Sequence, residues 1–314
     1  MPRWTPEDAP RVDGALALVT GASSGLGAAT ATALAGRGAR VLLANRDTVR
    51  TAIVADRIRA RFPGAVVEHV PLDLAALSSV ATAVERVRAE HGALDLLVAN
   101  AGVMATPYVR TVDGFELQLA VDHLGHQALV AGLLPELAAA PAGRIVVVSS
   151  GLHRIGRIDV EDLDWERRRY RPWQAYADAK LANLLFVAEL ARRLALAGSP
   201  VTALAAHPGL AATELQAVGP GMRGGLRGRL ASSVVPAASH LVAQSAERGA
   251  LPQLRAALDR DLPSGTFLGP DGFGAMRGWP TVETPSRRAR DPELAHRLWD
   301  ETERRTGVRA PLPG

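Results

Sequence analysis

The 314-residue chain contains no cysteine and a single lysine. The first absence excludes disulfides, thiolate nucleophiles and cysteine-ligated metals together, and it fits a reducing compartment. The second leaves arginine as the general cation, so Lys180 stands apart from every other basic side chain. Aromatic residues make up only 4% of the chain, with three tyrosines among them. No stretch reaches the eighteen or so uncharged apolar residues that a membrane-spanning helix needs. The start, Met1-Pro2-Arg3-Trp4-Thr5-Pro6-Glu7-Asp8, has acids and prolines where a signal peptide needs an apolar run. The expectation is a cytoplasmic protein without a membrane span. The formal net charge is only +4. The densest basic cluster, Arg167-Arg168-Arg169 with Arg171, follows Glu161, Asp162, Asp164 and Glu166. Adjacent blocks of opposite sign read as a solvated surface, so no nucleic-acid partner is expected.

What the chain does have is apolar residues, 47% of the total, enough for a sizeable core. Short apolar runs alternate with longer helical patterns. Strands are expected over 15–20, 40–44, 65–70, 94–99, 144–149, 201–205 and 266–268. Helices are expected over 25–38, 48–62, 77–91, 114–139, 174–197 and 291–305. Such alternation specifies a parallel sheet covered by helices on both faces. Continuous runs such as Ile145-Val146-Val147-Val148 suit strands buried on both sides. The expected fold is a single doubly wound α/β domain of the Rossmann type, with about seven parallel strands. It spans residues 14–314 after an N-terminal arm, 1–13.

The first strand runs into Gly21-Ala22-Ser23-Ser24-Gly25-Leu26-Gly27 and then a helix. Glycines let the backbone approach an anion closely, and a helix start offers unpaired N–H groups to a pyrophosphate. The spacing is G-x-x-x-G-x-G rather than G-x-G-x-x-G, so its position after strand one is what gives it meaning. The second strand ends in Asn45-Arg46. An acid at this place would bind a free ribose 2′-hydroxyl, whereas an arginine accommodates a 2′-phosphate. NADP is therefore expected over NAD.

The lone lysine lies four residues after a tyrosine, in Tyr176-Ala177-Asp178-Ala179-Lys180. One helical turn separates them. A phenol titrates near pH 10, too high for acid–base work at neutrality. A nearby ammonium, a compact point charge, should favour the phenolate and lower that value.

With the glycine loop and the Tyr-x-x-x-Lys unit in order, the chain resembles the short-chain dehydrogenase/reductase superfamily over nearly its whole length. The resemblance adds roles residue by residue. Asp73-Leu74 follows strand three, where the family contacts adenine, and Asn100-Ala101-Gly102 follows strand four. Ser150 matches the catalytic serine that donates a hydrogen bond to the substrate oxygen. Tyr176 would exchange the proton, and Lys180 would also hold the nicotinamide ribose. Pro208-Gly209 with Thr213 matches the segment that holds the nicotinamide carboxamide. Asp113-Gly114-Phe115-Glu116, His123-Leu124-Gly125-His126, Lys180-Leu181-Ala182-Asn183 and Leu298-Trp299-Asp300 look like the retinol-dehydrogenase-like branch. The implied activity is hydride transfer between NADP and the carbonyl or alcohol of a small, apolar substrate. The implied assembly is a homodimer or homotetramer, and the implied substrate flap covers about 210–236.

The chain departs from the family pattern at Asp122, where an asparagine is usual. An ionised carboxylate there would oppose the field of Lys180 and push the tyrosine back up, or serve as a relay base. His123 and His126 share one helix face without an evident third ligand, so buried hydrogen-bonded histidines are expected and no metal. The aromatics Trp165, Tyr170 and Trp173 fit either a pocket wall or a loop anchor. The altered relay position leaves a redox-neutral enzyme on this scaffold open, and a non-catalytic NADP-binding regulator is the alternative of a different class.

Overall fold

Eight strands form one sheet in the order β3-β2-β1-β4-β5-β6-β7-β8. They are β1 (Leu16–Thr20), β2 (Arg40–Asn45), β3 (Val67–Pro71), β4 (Leu96–Ala99), β5 (Arg144–Val148), β6 (Thr202–Ala206), β7 (Phe267–Pro270) and β8 (Pro280–Val282). The computed structural model describes residues 3–210 and 244–312. Thr213 and positions 211–236 of the expected flap lie outside the described residues. β1 to β7 are parallel, in register pairs such as Leu18↔Leu42 and Leu18↔Leu97. The expected doubly wound parallel sheet is thus present. An eighth strand, antiparallel to β7, adds an edge that the pattern did not announce.

The helices are α1 (Gly25–Gly36), α2 (Thr48–Arg61), α3 (Leu77–His91), the single turn α4 (Leu117–Leu119), α5 (Gly125–Ala139), α6 (Pro172–Leu196), α7 (Ala246–Leu258) and α8 (Pro292–Thr306). They cover both faces. Leu34, Ile58 and Leu254 pack one face against Val19, Leu43 and Leu204. Leu129, Leu185 and Leu298 pack the other against Leu18, Leu97 and Ile145. Each such side chain contributes about 1.5–3 kcal/mol of hydrophobic stabilisation. This is why the central strands read as unbroken apolar runs.

Two differences from the expected elements bear on the site. The helix expected over 114–139 starts at Leu117, because Gly114 sits in a turn and Arg110 bridges Glu116. Between α4 and α5 the backbone takes a wide π-helical turn, Ala120–Leu124. Such turns are rare and concentrate at functional sites.

Candidate active site

The C-terminal ends of the parallel strands converge on one edge of the sheet. The strand order reverses between β1 and β4, and a crevice at such a reversal is where open α/β sheets bind ligands. A cleft of about 360 Å³ lies there. Gly21, Ser23, Ser24, Gly25, Leu26 and Gly27 form one wall. Gly21 has φ +67, and a Cβ on it would lie 2.8 Å from Ala101 Cα. Only glycine lets the loops after β1 and β4 come this close. Thr20 ties them together, its Oγ1 accepting the N–H groups of Asn100 and Ala101, each at 2.9 Å. Ser24 occupies the N-cap of α1, but its side chain makes no capping bond, and no acid lies in the first turn. The donor end of α1 is therefore left for an anion, and this geometry fits a pyrophosphate.

Asn45, Arg46, Asp73, Leu74, Asn100, Ala101 and Gly102 line the same cleft. Asn45 Oδ1 accepts from Asp47 N at 3.0 Å and from Thr51 Oγ1 at 2.7 Å. Arg46 is exposed at the far end. Asp47 and Arg50, which the strand-end pattern does not single out, also border the cleft. Asp47 is the N-cap of α2, accepting Arg50 N–H at 2.9 Å and pairing with its guanidinium at 3.4 Å. Asp73 turns back on its own loop, Oδ1 accepting Ala75 N–H at 3.0 Å.

Ser150, Tyr176 and Lys180 meet beside this cleft rather than within its lining. Ser150 lies two residues beyond β5 and caps the 3₁₀ turn Gly151–Ile155, and Ser149 before it donates to Lys180 O at 2.7 Å, pinning α6 to the strand end. Tyr176 and Lys180 lie one turn apart on α6, with Nζ 5.5 Å from the phenol ring centre. Gly102 is the junction with the cleft. A Cβ there would lie 3.2 Å from Lys180 Nζ and 3.3 Å from both Asp122 carboxylate oxygens.

Asp122, at the middle of the π-helical turn, forms a buried ion pair with Lys180 at 3.0 Å (side chains 0% and 3% exposed). Its other oxygen accepts Val103 N–H at 2.7 Å. Burial pushes the Asp122 carboxyl up, against the pull of Lys180 and Val103. Burial also opposes the Lys180 ammonium, but Asp122 and Tyr176 outweigh it and raise its value. Tyr176 corrects the expectation from sequence. Its phenol is shifted up, not down, because burial dominates. Lys180 and a hydrogen bond with Ser150 pull it down, while the Asp122 charge pushes it further up.

The two neighbouring histidines are buried and hydrogen-bonded. His123 Nδ1 meets Asn183 Oδ1 at 3.2 Å, and burial lowers its pKa to about 4. His126 bridges the site's two halves. Its Nδ1–H donates to Asp122 O at 3.2 Å, and its Nε2 accepts from Thr20 Oγ1 at 2.8 Å. Burial lowers its pKa to about 3, so the ring is neutral and this tautomer is consistent. The role of Thr20 has no sequence signal, since a strand-end threonine is commonplace. Trp165 and Tyr170 anchor the loop before α6. The Tyr170 hydroxyl donates to Glu116 Oε1 at 2.9 Å and accepts from Gln118 Nε2 at 2.7 Å, and the Trp165 ring meets Tyr170 edge-on. Trp173 is exposed.

Pro208 and Gly209 follow β6. Pro208 O accepts from Gln244 Nε2 at 2.6 Å, and Gly209 N–H donates to His207 Nδ1 at 3.2 Å.

The sequence profile of the short chain dehydrogenase family matches residues 15–220. The chain is a short-chain dehydrogenase/reductase. This family member is 39% identical to human retinol dehydrogenase 13 over 303 residues, 96% of this chain and 87% of that protein. It is likewise 39% identical to mouse polyprenol dehydrogenase, covering 97% of this chain and 88% of that one. A crystal structure of a protein from Mycobacterium paratuberculosis superposes with a TM-score of 0.80 at 42% identity, covering 99% of this chain and all of that one. The dehydrogenase/reductase thus belongs to the retinol-dehydrogenase-like branch and is an NAD(P)-dependent oxidoreductase. No helix among its described residues is long and apolar enough to cross a membrane.

Proposed function

We propose that this enzyme uses NADP to reduce the carbonyl of a small apolar molecule, with Tyr176 as proton donor. The carrying observation is the buried Tyr176–Lys180–Asp122 cluster set against Gly102, the residue it shares with the cleft. The loop 21–27 and the start of α1 would hold the pyrophosphate, and Asp73 and Leu74 would flank the adenine. Asn100, Ala101, Pro208 and Gly209 would bracket the remainder, with Thr213 assigned to the carboxamide by its match to the family. When bound, the nicotinamide supplies the hydride.

The chain's own residues do the rest. Ser150 donates a hydrogen bond to the substrate oxygen and orients it. Tyr176, kept protonated by burial and by Asp122, gives its proton to the nascent alkoxide. Lys180 stabilises the phenolate left behind, and Asp122 holds that ammonium charged and in place. The upward shift keeps the phenol protonated at neutral pH, the form that reduction requires of it.

Loss of NADPH absorbance over a panel of ketones and aldehydes tests this reading. Turnover of apolar carbonyls is expected, and no oxidation of NADPH with any of them would overturn it. In the same assay Arg46→Ala should erode the preference for NADPH over NADH by about tenfold or more, since charge-assisted hydrogen bonds to a phosphate contribute about 1.5–3 kcal/mol. An unchanged preference would remove Arg46 from the 2′-phosphate. Asp122→Asn deletes a charge that raises Tyr176. The pH at which the reductive rate declines should therefore move downward, because the phenol gives up its proton more readily. Superimposable pH–rate profiles would show that the carboxylate has no part in the proton transfer.

A further inference from the structure

Beyond the edge strand β8 a carboxylate reaches back under the sheet's C-terminal edge. Glu283 N–H donates to Phe267 O at 2.8 Å, which carries the β7–β8 pairing one residue further. Its Oε1 accepts from His207 Nε2 at 3.0 Å, and its Oε2 accepts from Arg154 Nη2 at 3.0 Å. Across the ring, His207 Nδ1 presents its lone pair to Gly209 N–H, which places the ring proton on Nε2. The imidazole stacks on Phe267, with ring centres 5.3 Å apart. A Cβ on Gly151 would lie 3.9 Å from it. Space for the pair exists because residue 269 is glycine. A Cβ there would lie 2.0 Å from Glu283 Oε1 and 2.1 Å from His207 Nε2.

Arg154 belongs to the 3₁₀ turn Gly151–Ile155, which follows Ser150 directly. His153 of the same turn donates from Nδ1 to Ser150 O at 2.7 Å and accepts Ser286 N–H at Nε2 at 3.3 Å. One short segment, 283–286, therefore grips two strand-end loops. It reaches Pro208–Gly209 through His207, and the Ser150 turn through Arg154 and His153. Apolar packing could fill this space without desolvating a charged group, so stability alone does not call for a half-buried ion-pair network.

We propose that Glu283 is a positioning residue for the nicotinamide end of the site. Acting through His207 and Arg154, it sets the Pro208–Gly209 loop and the Ser150 turn in register with each other. The inference rests on the reading above in which those two loops flank the nicotinamide. Among the described residues, the opposite end of the cleft, held by residues 21–27 and Arg46, shares no hydrogen bond or ion pair with this network and should not sense its loss.

The test is equilibrium binding to the full chain by calorimetry, with two ligands. One is NADPH, and the other is 2′-phospho-ADP-ribose, which keeps the phosphates and lacks the nicotinamide ring. Glu283→Ala should weaken NADPH about tenfold, the scale of one lost hydrogen bond to a charged group, and leave the fragment within about twofold. Glu283→Gln can still accept from His207 and should fall between wild type and alanine for NADPH. The same ratio read on Glu283→Gln decides the matter if the alanine variant does not fold. Equal losses for both ligands, or no loss for either, would overturn the positioning role while leaving the enzyme reading intact. Failure of the unmutated chain to bind NADPH would overturn that reading, and this inference with it.

Discussion

Tyr176→Phe is expected to lower turnover by at least about 10³-fold, within the range that a positioned general acid supplies. NADPH affinity should change little. The substitution removes one hydroxyl from a buried ring and leaves the loop 21–27, Asn100 and Gly102 as they are. On the proposed mechanism the hydroxyl carries the proton that the alkoxide needs, and it meets Ser150 and adjoins Lys180. Steady-state rates with NADPH and a carbonyl substrate, combined with calorimetric binding, separate the two effects. Retained turnover would show that the proton comes from elsewhere, with solvent or Asp122 as the remaining sources. Parallel loss of turnover and binding would instead mark Tyr176 as a packing residue.

Lys180→Met should destabilise the fold by about 3–5 kcal/mol, because it strands a buried carboxylate without its counter-ion. Asp122 is fully buried, and its ion-pair partner in the site is that ammonium. The direction of the pH dependence follows from the upward shift of the Asp122 carboxyl. Without Lys180 the folded chain would hold a proton there that the unfolded chain releases. The deficit should then grow as pH rises through the unfolded carboxylate range and shrink at lower pH. Adding Asp122→Asn to Lys180→Met should recover much of the lost stability, since the charge that needed compensation is gone. Urea unfolding of the wild type, both single variants and the double variant completes the cycle. Simple additivity would mean that the pair is not coupled, despite its 3.0 Å separation.

Much of this architecture is legible in the sequence because it is locally encoded. Period and glycine punctuation mark β1 and α1, and the turn at Pro63-Gly64 marks the end of α2. The elements that escape have ambiguous local signals. α7 contains Gly249 and Pro252, which read as breakers, yet it forms because its apolar face packs on the sheet beside Leu204 and Leu268. β8 is three residues long, starts with proline and pairs antiparallel, so neither length nor alternation announces it. Glu283 is invisible for the same reason, since its meaning depends on where β8 docks. The site divides in the same way. That Tyr176 and Lys180 sit together is readable from their spacing, and the resemblance to the family places Asp122 beside them. The direction of the Tyr176 shift is not readable, because it is set by how completely the ring is enclosed, and enclosure is a property of packing across distant elements.

The wide turn Ala120–Leu124 fits one residue more than an α-helical turn would. Its adjacent residues Asp122 and His123 are both buried, the first against Lys180 and the second against Asn183. A chain one residue shorter at this place could close into an ordinary helix and leave α5 seated on the sheet. A length change at this place would therefore alter which groups stand beside Lys180 and Tyr176 while the scaffold stays as it is.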